Sequence, residues 1–358
     1  MFAVLMAGGM GTRFWPMSRK AYPKQLLNFT GSKSMLQKTY DRIKTLIADE
    51  NILVITSAEL KKAIQKQLPM LPKENIIGEP EGKNTAPCIG LAATIIEKKA
   101  SENEIMVILP ADHLVSNLAN FRKTIQAGMD YAQESNSLIT LGIEPTYPET
   151  GYGYIQTDQK ITTRKRKDIF KVRTFAEKPN VDTAERFIRS GDFLWNSGIF
   201  IWSVKAIMRE IDEHLPELSA DLNLIGKFVG KPMFKKMLSE MYSRTKSVSI
   251  DYGIMEVTKN VFVIKSDFQW NDLGSWEAVY NISNKDVKGN VCHTKKEILV
   301  DSNNNYFYSP KKLLAAVDIE GLVVIDMDDA ILICKKDRSQ EIKTIVDYLK
   351  RKKLKSYL

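Results

Sequence analysis

Three observations predict an α/β fold with a mostly parallel mixed sheet, followed by a small β domain. Over the first 145 residues, short apolar runs alternate with longer amphipathic ones at the spacing of strand–helix units. Two of those runs lead straight into chemically loaded turns, Gly8–Arg13 and Pro110–His113. Ligands of such sheets sit beyond the carboxyl ends of the strands. After Asn284 the pattern changes to short β-branched runs separated by Asn, Asp, Ser or Gly.

In chain order, Phe2–Ala7, Asn51–Thr56, Ile105–Leu109 and Leu138–Ile143 read as buried strands. Ser34–Ala48, Ala58–Leu68, Ala86–Lys99 and Phe121–Gln133 read as helices. The section 146–280 is less regular. It offers strands at Gly151–Ile155, Val172–Phe175 and Ile199–Trp202, a basic turn at Arg164–Lys167, and helices at Asp182–Arg189 and Val204–Ile211. Ile298–Val300, Leu313–Val317, Leu322–Ile325 and Ala330–Cys334 are the strands of the small β domain. Ile342, Ile345, Val346 and Leu349 then keep the i, i+3, i+4, i+7 spacing of a closing helix. The expected division is a domain over 1–284 and a β domain with terminal helix over 285–358.

Composition narrows the function. The 358 residues are 44% hydrophobic and 27% charged, as expected of a globular protein. No apolar run is long enough to span a bilayer, and no signal-like stretch opens the chain, so a cytoplasmic location is expected. Cys88, Cys292 and Cys334 are isolated and odd in number, which argues against a disulfide framework or a zinc site. The net charge is +9, and the stretch from Lys335 to Leu358 alone carries +6 of it. A basic tail explains the excess without a nucleic-acid-binding surface. Lys350–Lys353 reads as the exposed end of a helix, with its cations near the negative pole.

The turn Gly8-Gly9-Met10-Gly11-Thr12-Arg13 carries the chemistry, continuing through Phe14-Trp15-Pro16-Met17-Ser18-Arg19 to Pro23-Lys24-Gln25. Glycines after a strand let backbone N–H groups surround phosphate oxygens, and Arg13 and Lys24 can neutralise them. It is not a Walker loop, for no Gly-Lys-Ser/Thr follows. Nor is it a dinucleotide fingerprint, since Phe14 stands where a third small residue belongs.

The whole string resembles the signature of the sugar nucleotidyltransferases, in the variant of the mannose-1-phosphate guanylyltransferase family. The resemblance continues through Glu79-Pro80-x-x-x-Asn84-Thr85-Ala86-Pro87, Pro110-Ala111-Asp112-His113 and Phe175-Ala176-Glu177-Lys178-Pro179. It ends with Trp195-Asn196-Ser197-Gly198-Ile199-Phe200 and Trp270-Asn271-Asp272-Leu273-Gly274-Ser275-Trp276. These motifs keep the family's order over nearly the first 280 residues.

The resemblance implies a Rossmann-like nucleotide-diphospho-sugar transferase domain and a left-handed β-helix-like domain, although strict hexapeptide repeats are not apparent. It implies GMP transfer from GTP to α-D-mannose 1-phosphate, giving GDP-mannose and pyrophosphate. Arg13, Lys24 and Lys178 would be the catalytic cations, the first two on the GTP phosphates and Lys178 on the phosphate of mannose 1-phosphate. Gly8, Gly9, Gly11, Thr12, Asn84, Thr85 and Pro87 would complete the nucleotide site. Gly153, Glu177, Asn196 and Asn271 would take the sugar, and Asp112 and Asp272 would hold Mg²⁺. Asn84-Thr85 also suits a helix cap, and Asp112 and Asp272 also suit turns. Trp195, Trp270 and Trp276 read as packing residues, His113 as a local hydrogen-bonding residue.

The physical demand agrees with that chemistry. The attacking sugar phosphate is already anionic, so the difficulty is bringing two anions together in line, which calls for cations and metal rather than a His base. Neither another sugar or nucleotide nor a silent nucleotide-sugar-binding subunit is excluded by the pocket residues alone. The family also implies a homodimer. Some members carry a further isomerase domain, for which this chain ends too soon, so isomerase activity is not expected.

Overall fold

The computed structural model describes residues 1–9, 11–161 and 168–358. The basic turn expected at Arg164–Lys167 lies outside the described residues. In order, the elements are β1 (Phe2–Met6), α1 (Met35–Ile43), β2 (Ile52–Ser57), α2 (Lys61–Gln67), β3 (Ile76–Glu79), α3 (Thr85–Lys99), β4 (Ile105–Pro110), β5 (Leu114–Val115), α4 (Leu118–Ser135) and β6 (Leu138–Ile143). There follow β7 (Gly153–Ile161), β8 (Ile169–Glu177), α5 (Val181–Ser190), β9 (Phe193–Ser203), α6 (Val204–His214), α7 (Pro216–Gly226), α8 (Phe234–Arg244), β10 (Val261–Lys265), β11 (Trp270–Asn271) and α9 (Trp276–Ile282). The chain closes with β12 (Val291–Val300), β13 (Tyr306–Val317), β14 (Leu322–Asp326), β15 (Ile331–Lys335) and α10 (Ile342–Arg351).

These elements form two compact units. The first comprises Met1–Gly8, Thr39–Ala111 and Val115–Trp270. Its nine-stranded sheet runs β3-β2-β1-β4-β9-β6-β10-β8-β7. β3, β2, β1 and β4 are parallel neighbours, as are β6 and β10. β9 enters antiparallel between β4 and β6, and β7 and β8 add an antiparallel margin. β1, β2 and β4 are almost wholly buried because helices cover the sheet, which is why they read as continuous apolar runs. α3 is buried along most of its length, its apolar residues sharing one core with Ile211, Leu222 and Met241 of α6, α7 and α8.

The expected Ser34–Ala48 helix ends early, at Ile43. Ser34 and Gln37 form a reciprocal capping box at its start, with bonds of 3.1 and 3.0 Å. At its end Leu46 N–H bonds back only to Ile43 O, tightening the last turn. β3 is short and followed by Pro80, so it left little alternation to read, and α7 and α8 lay in the section without clear periodicity.

The second unit comprises Gly9–Lys38, Asp112–Leu114 and Asn271–Leu358. Its sheet runs β12-β13-β14-β15, with the first three strands parallel and β15 antiparallel. Val291 pairs with Tyr306 and Tyr306 with Val323, so successive strands stack as rungs of a β-helix-like coil. Buried asparagines hold the corners. Asn290 Nδ2 donates to Ser302 O (2.9 Å), Asn305 Nδ2 to Asn290 Oδ1 (3.1 Å), and Leu322 N to Asn305 Oδ1 (2.8 Å). The unit's core joins these rungs to the segment after the glycine turn. Trp276, fully buried, meets Phe14 edge-on at 5.2 Å and Tyr306 at 5.4 Å.

Candidate active site

In the second unit the glycine turn is fixed around Lys24. Gly11 has φ +56°, and a Cβ there would stand 2.4 Å from Lys24 Cβ, so both the conformation and the close approach require glycine. Ser18 Oγ donates to Gly11 O at 2.6 Å and Gln25 Nε2 to Gly9 O at 3.0 Å, pinning the loop from both sides. Thr12, Arg13 and Phe14 form a short 3-10 turn. Phe14 is buried and acts as the anchor, leaving Arg13 exposed. Among the described residues none pairs with the Arg13 guanidinium.

Lys24 is 6% exposed. Its Nζ donates to Asp112 Oδ2 at 2.9 Å and to the backbone carbonyl of Asp272. The fold thus brings two residues far apart in the chain, Asp112 by its side chain and Asp272 by its backbone carbonyl, to the ammonium of Lys24. Burial works to raise the Asp112 pKa, but the charges of Lys24 and His113 and the Lys24 bond hold it below the ordinary carboxylate value. His113 Nε2 stands 3.8 Å from Asp112 Oδ1, a neighbour of the carboxylate. The Asp112 and Asp272 side chains remain partly accessible. Partly accessible hard oxygen donors are the ligand type that suits Mg²⁺. Asn271 Oδ1 accepts from Leu273 N at 2.7 Å, closing the turn that carries Asp272.

The first unit holds the remaining predicted residues in two clusters. At the carboxyl end of β1, a Cβ on Gly8 would meet Glu79 Oε2 at 3.4 Å. Glu79 is 6% exposed and accepts from Tyr242 Oη at 2.8 Å. Burial pushes its carboxyl up to about 7, against the Tyr242 bond. Glu79 belongs to a quoted motif but was given no role in the sequence reading; the signal was its place at the end of a parallel strand. Asn84, at φ +69°, caps α3 through its Oδ1, which accepts from Thr85 N at 2.9 Å. Thr85 Oγ1 accepts from Ile250 N at 2.8 Å, and Pro87 is buried in the first turn of α3. The cap is therefore present at Asn84.

Gly153, Glu177, Lys178 and Asn196 do come together. Gly153 of β7 pairs with Glu177 of β8, and a Cβ at Gly153 would lie 2.5 Å from Glu177 Oε2 and 3.3 Å from Asn196 Cβ. Lys178 Nζ donates to Glu177 Oε1. Lys178 itself is held at φ +51°, its N–H bonded to Tyr152 O at 3.2 Å. Asn196 Oδ1 accepts from Thr140 Oγ1 (3.1 Å) and Gly198 N (3.1 Å), while Nδ2 donates to Asp251 Oδ1 at 3.0 Å. Asp251 is a residue that sequence reading missed. Burial first, and the charge of Glu177 second, push its carboxyl up to about 7. It lies outside the recognised motifs, and its partners come from other elements, so nothing local marked it. Trp195 packs edge-on to Tyr147 and Tyr152 at 5.0 and 5.2 Å and is 5% exposed, the packing role expected of it.

A model of nucleotidyl transferases matches residues 2–289, and one of the mannose-phosphate isomerase/GMP-like β-helix domain matches 295–349. A mannose-1-phosphate guanylyltransferase of Escherichia coli is 38% identical over 97% of this chain and 75% of its own length. The chain belongs to the mannose-1-phosphate guanylyltransferase family. A guanylyltransferase of Salmonella typhimurium is likewise 38% identical, over 99% of this chain and 73% of its own. A Thermus thermophilus structure described as a mannose-1-phosphate geranyltransferase superposes with TM-score 0.86 at 29% identity, covering 98% of this chain and 99% of that one. The chain has three free cysteines. Among its described residues no helix is long and apolar enough to cross a membrane.

Proposed function

We propose that the protein transfers GMP from GTP to α-D-mannose 1-phosphate, forming GDP-mannose and releasing pyrophosphate. The observation that carries this reading is the buried Lys24 ammonium, seated between the Asp112 carboxylate and the Asp272 carbonyl, behind a glycine turn that leaves Arg13 exposed and, among the described residues, unpaired. The sugar-phosphate oxygen attacks the α-phosphorus in line, a P–O bond forms there, and the bond to the bridging oxygen breaks as pyrophosphate leaves. No protein nucleophile or base is required, because the attacking oxygen is already ionised. Arg13 and Lys24 neutralise the nucleotide phosphates, with Gly8, Gly9, Gly11, Thr12, Asn84, Thr85 and Pro87 shaping the nucleotide site. Asp112 and Asp272 would hold Mg²⁺, which supplies charge neutralisation when bound.

Glu79 supports guanine. A carboxylate accepts from both N1–H and the 2-amino group of that base, whereas uracil and thymine offer a single ring N–H. Glu177, Asn196 and Gly153 would take the sugar hydroxyls, Asn271 would contribute through the Asp272 turn, and Lys178 would bind the sugar phosphate. The same reading includes a division of the sequence at 284/285, a cytoplasmic location and a homodimer, the last checked by light scattering.

The test mixes purified protein and Mg²⁺ with each of four nucleoside triphosphates and several sugar 1-phosphates, and resolves products by mass. GDP-mannose as the dominant product supports the reading. Another nucleotide sugar would reassign the substrates, and no product with any pair would make the chain a silent binder.

A further inference from the structure

The second unit contains a cavity of about 360 Å³ lined by Thr12, Trp15, Arg19 and Lys20 of the signature segment and by Lys350 and Lys355 of the C-terminal helix and its extension. We propose that this cavity is a second anion site, for a phosphate-bearing small molecule, separate from the substrate phosphates held by Arg13 and Lys24.

Its chemistry is one-sided. Four of its nine lining residues are Lys or Arg, the rest including Ser18, Val346 and Leu358, and no Asp or Glu side chain among the described residues lines the cavity. Cations of the cavity have partners beside it: Arg19 Nη2 donates to Asp329 at 2.8 Å, Lys350 stands 3.6 Å from Asp347, and Lys20 is partnered as well. The local charge nevertheless stays strongly positive, because five of the six residues from Lys350 to Lys355 are Lys or Arg. A helix C-terminus offers only about half an elementary negative charge, and that within its last turn, so it cannot balance such a cluster. A ligand carrying two or more negative charges can. The cavity is also large enough for an organic phosphate, and Trp15 and Val346 give it an apolar wall.

The site is built into the turn rather than resting on it. Trp15 Nε1 donates to Tyr357 O at 2.7 Å, and Arg19 Nη1 donates to the same carbonyl. The C-terminal segment is thereby clasped to the residues that follow Gly11-Thr12-Arg13. An anion bridging Arg19 and Lys20 to Lys350 and Lys355 strengthens that clasp.

The phosphate group is the shared chemistry, and its source is open to experiment. Equilibrium dialysis with inorganic pyrophosphate and, separately, with GDP separates a bare phosphate anion from a nucleotide. The intact chain is expected to bind two equivalents of at least one probe. A Lys350→Glu/Lys355→Glu variant is expected to bind one, its second-site affinity at least about tenfold weaker. Its turnover without added anion should equal that of the unaltered chain. A Lys62→Glu/Lys343→Glu variant carries the same change of net charge elsewhere and should keep both equivalents. Circular dichroism and a thermal melt establish that each variant is folded. Equal stoichiometry in the Lys350/Lys355 variant and the unaltered chain, for both probes, overturns the proposal. So does a single equivalent in the unaltered chain that the Lys350/Lys355 variant retains. Failure of the guanylyltransfer reading would instead appear as absent turnover, with the difference in stoichiometry intact.

Discussion

At the scale of single residues, charge decides most outcomes. Asp112→Asn keeps an oxygen for Lys24 but loses the anion, and Asp272→Asn keeps the backbone carbonyl that Lys24 uses. Each is expected to fold and to lose about 100-fold or more in Mg²⁺-supported turnover; unchanged rates in steady-state assays would remove them from the metal. Lys178→Ala should raise the KM for mannose 1-phosphate about tenfold while sparing that for GTP, and a selective GTP defect would refute the assignment. Glu79 makes a prediction in pH. Its carboxyl titrates near 4.3 when unfolded and at about 7 in the fold, so the folded state binds more protons between those values. Stability is therefore greatest below about pH 4 on this account and falls as pH rises toward 7. Glu79→Gln should flatten that fall by about 2–3 kcal/mol, read from urea midpoints at pH 4.5 and 7.

Among the elements, β1 and its turn were legible because a buried parallel strand is a continuous apolar run and glycines interrupt it at once. The α3 cap was legible for the same local reason. β7 and β8 were less so: their alternation is broken by register shifts at Gln156/Thr157 and Thr157/Lys160, and much of their length is partly exposed. Their junction at Gly153 and Glu177 nonetheless carries a testable consequence. Gly153→Ala places a methyl 2.5 Å from the Glu177 carboxylate, whose flexible end must move. The expected result is a sugar-phosphate KM raised by about tenfold with a melting temperature within a few degrees of the unaltered chain. A collapse of stability instead would show that Glu177 has no room to yield.

For the molecule as a whole, the two units differ in what holds them. The first is a covered sheet whose core forms along most of the chain. The second is a coil of rungs whose corners depend on buried asparagines. Asn305→Ala removes acceptors and donors for Asn290, Ile319 and Leu322 and should cost about 2–4 kcal/mol, measured by chemical denaturation. By itself the sequence determined the strand–helix alternation of the opening section, the glycine turn after β1 with the Lys, Arg and Asp residues around its motifs, and the family, because each is written in contiguous residues. Only the tertiary structure decided that Lys24 is buried between Asp112 and Asp272, that Asn196 holds Asp251, and that the basic tail folds against the signature segment. Those contacts join residues far apart in the chain, and burial and opposing charge exist only once the chain has closed around them.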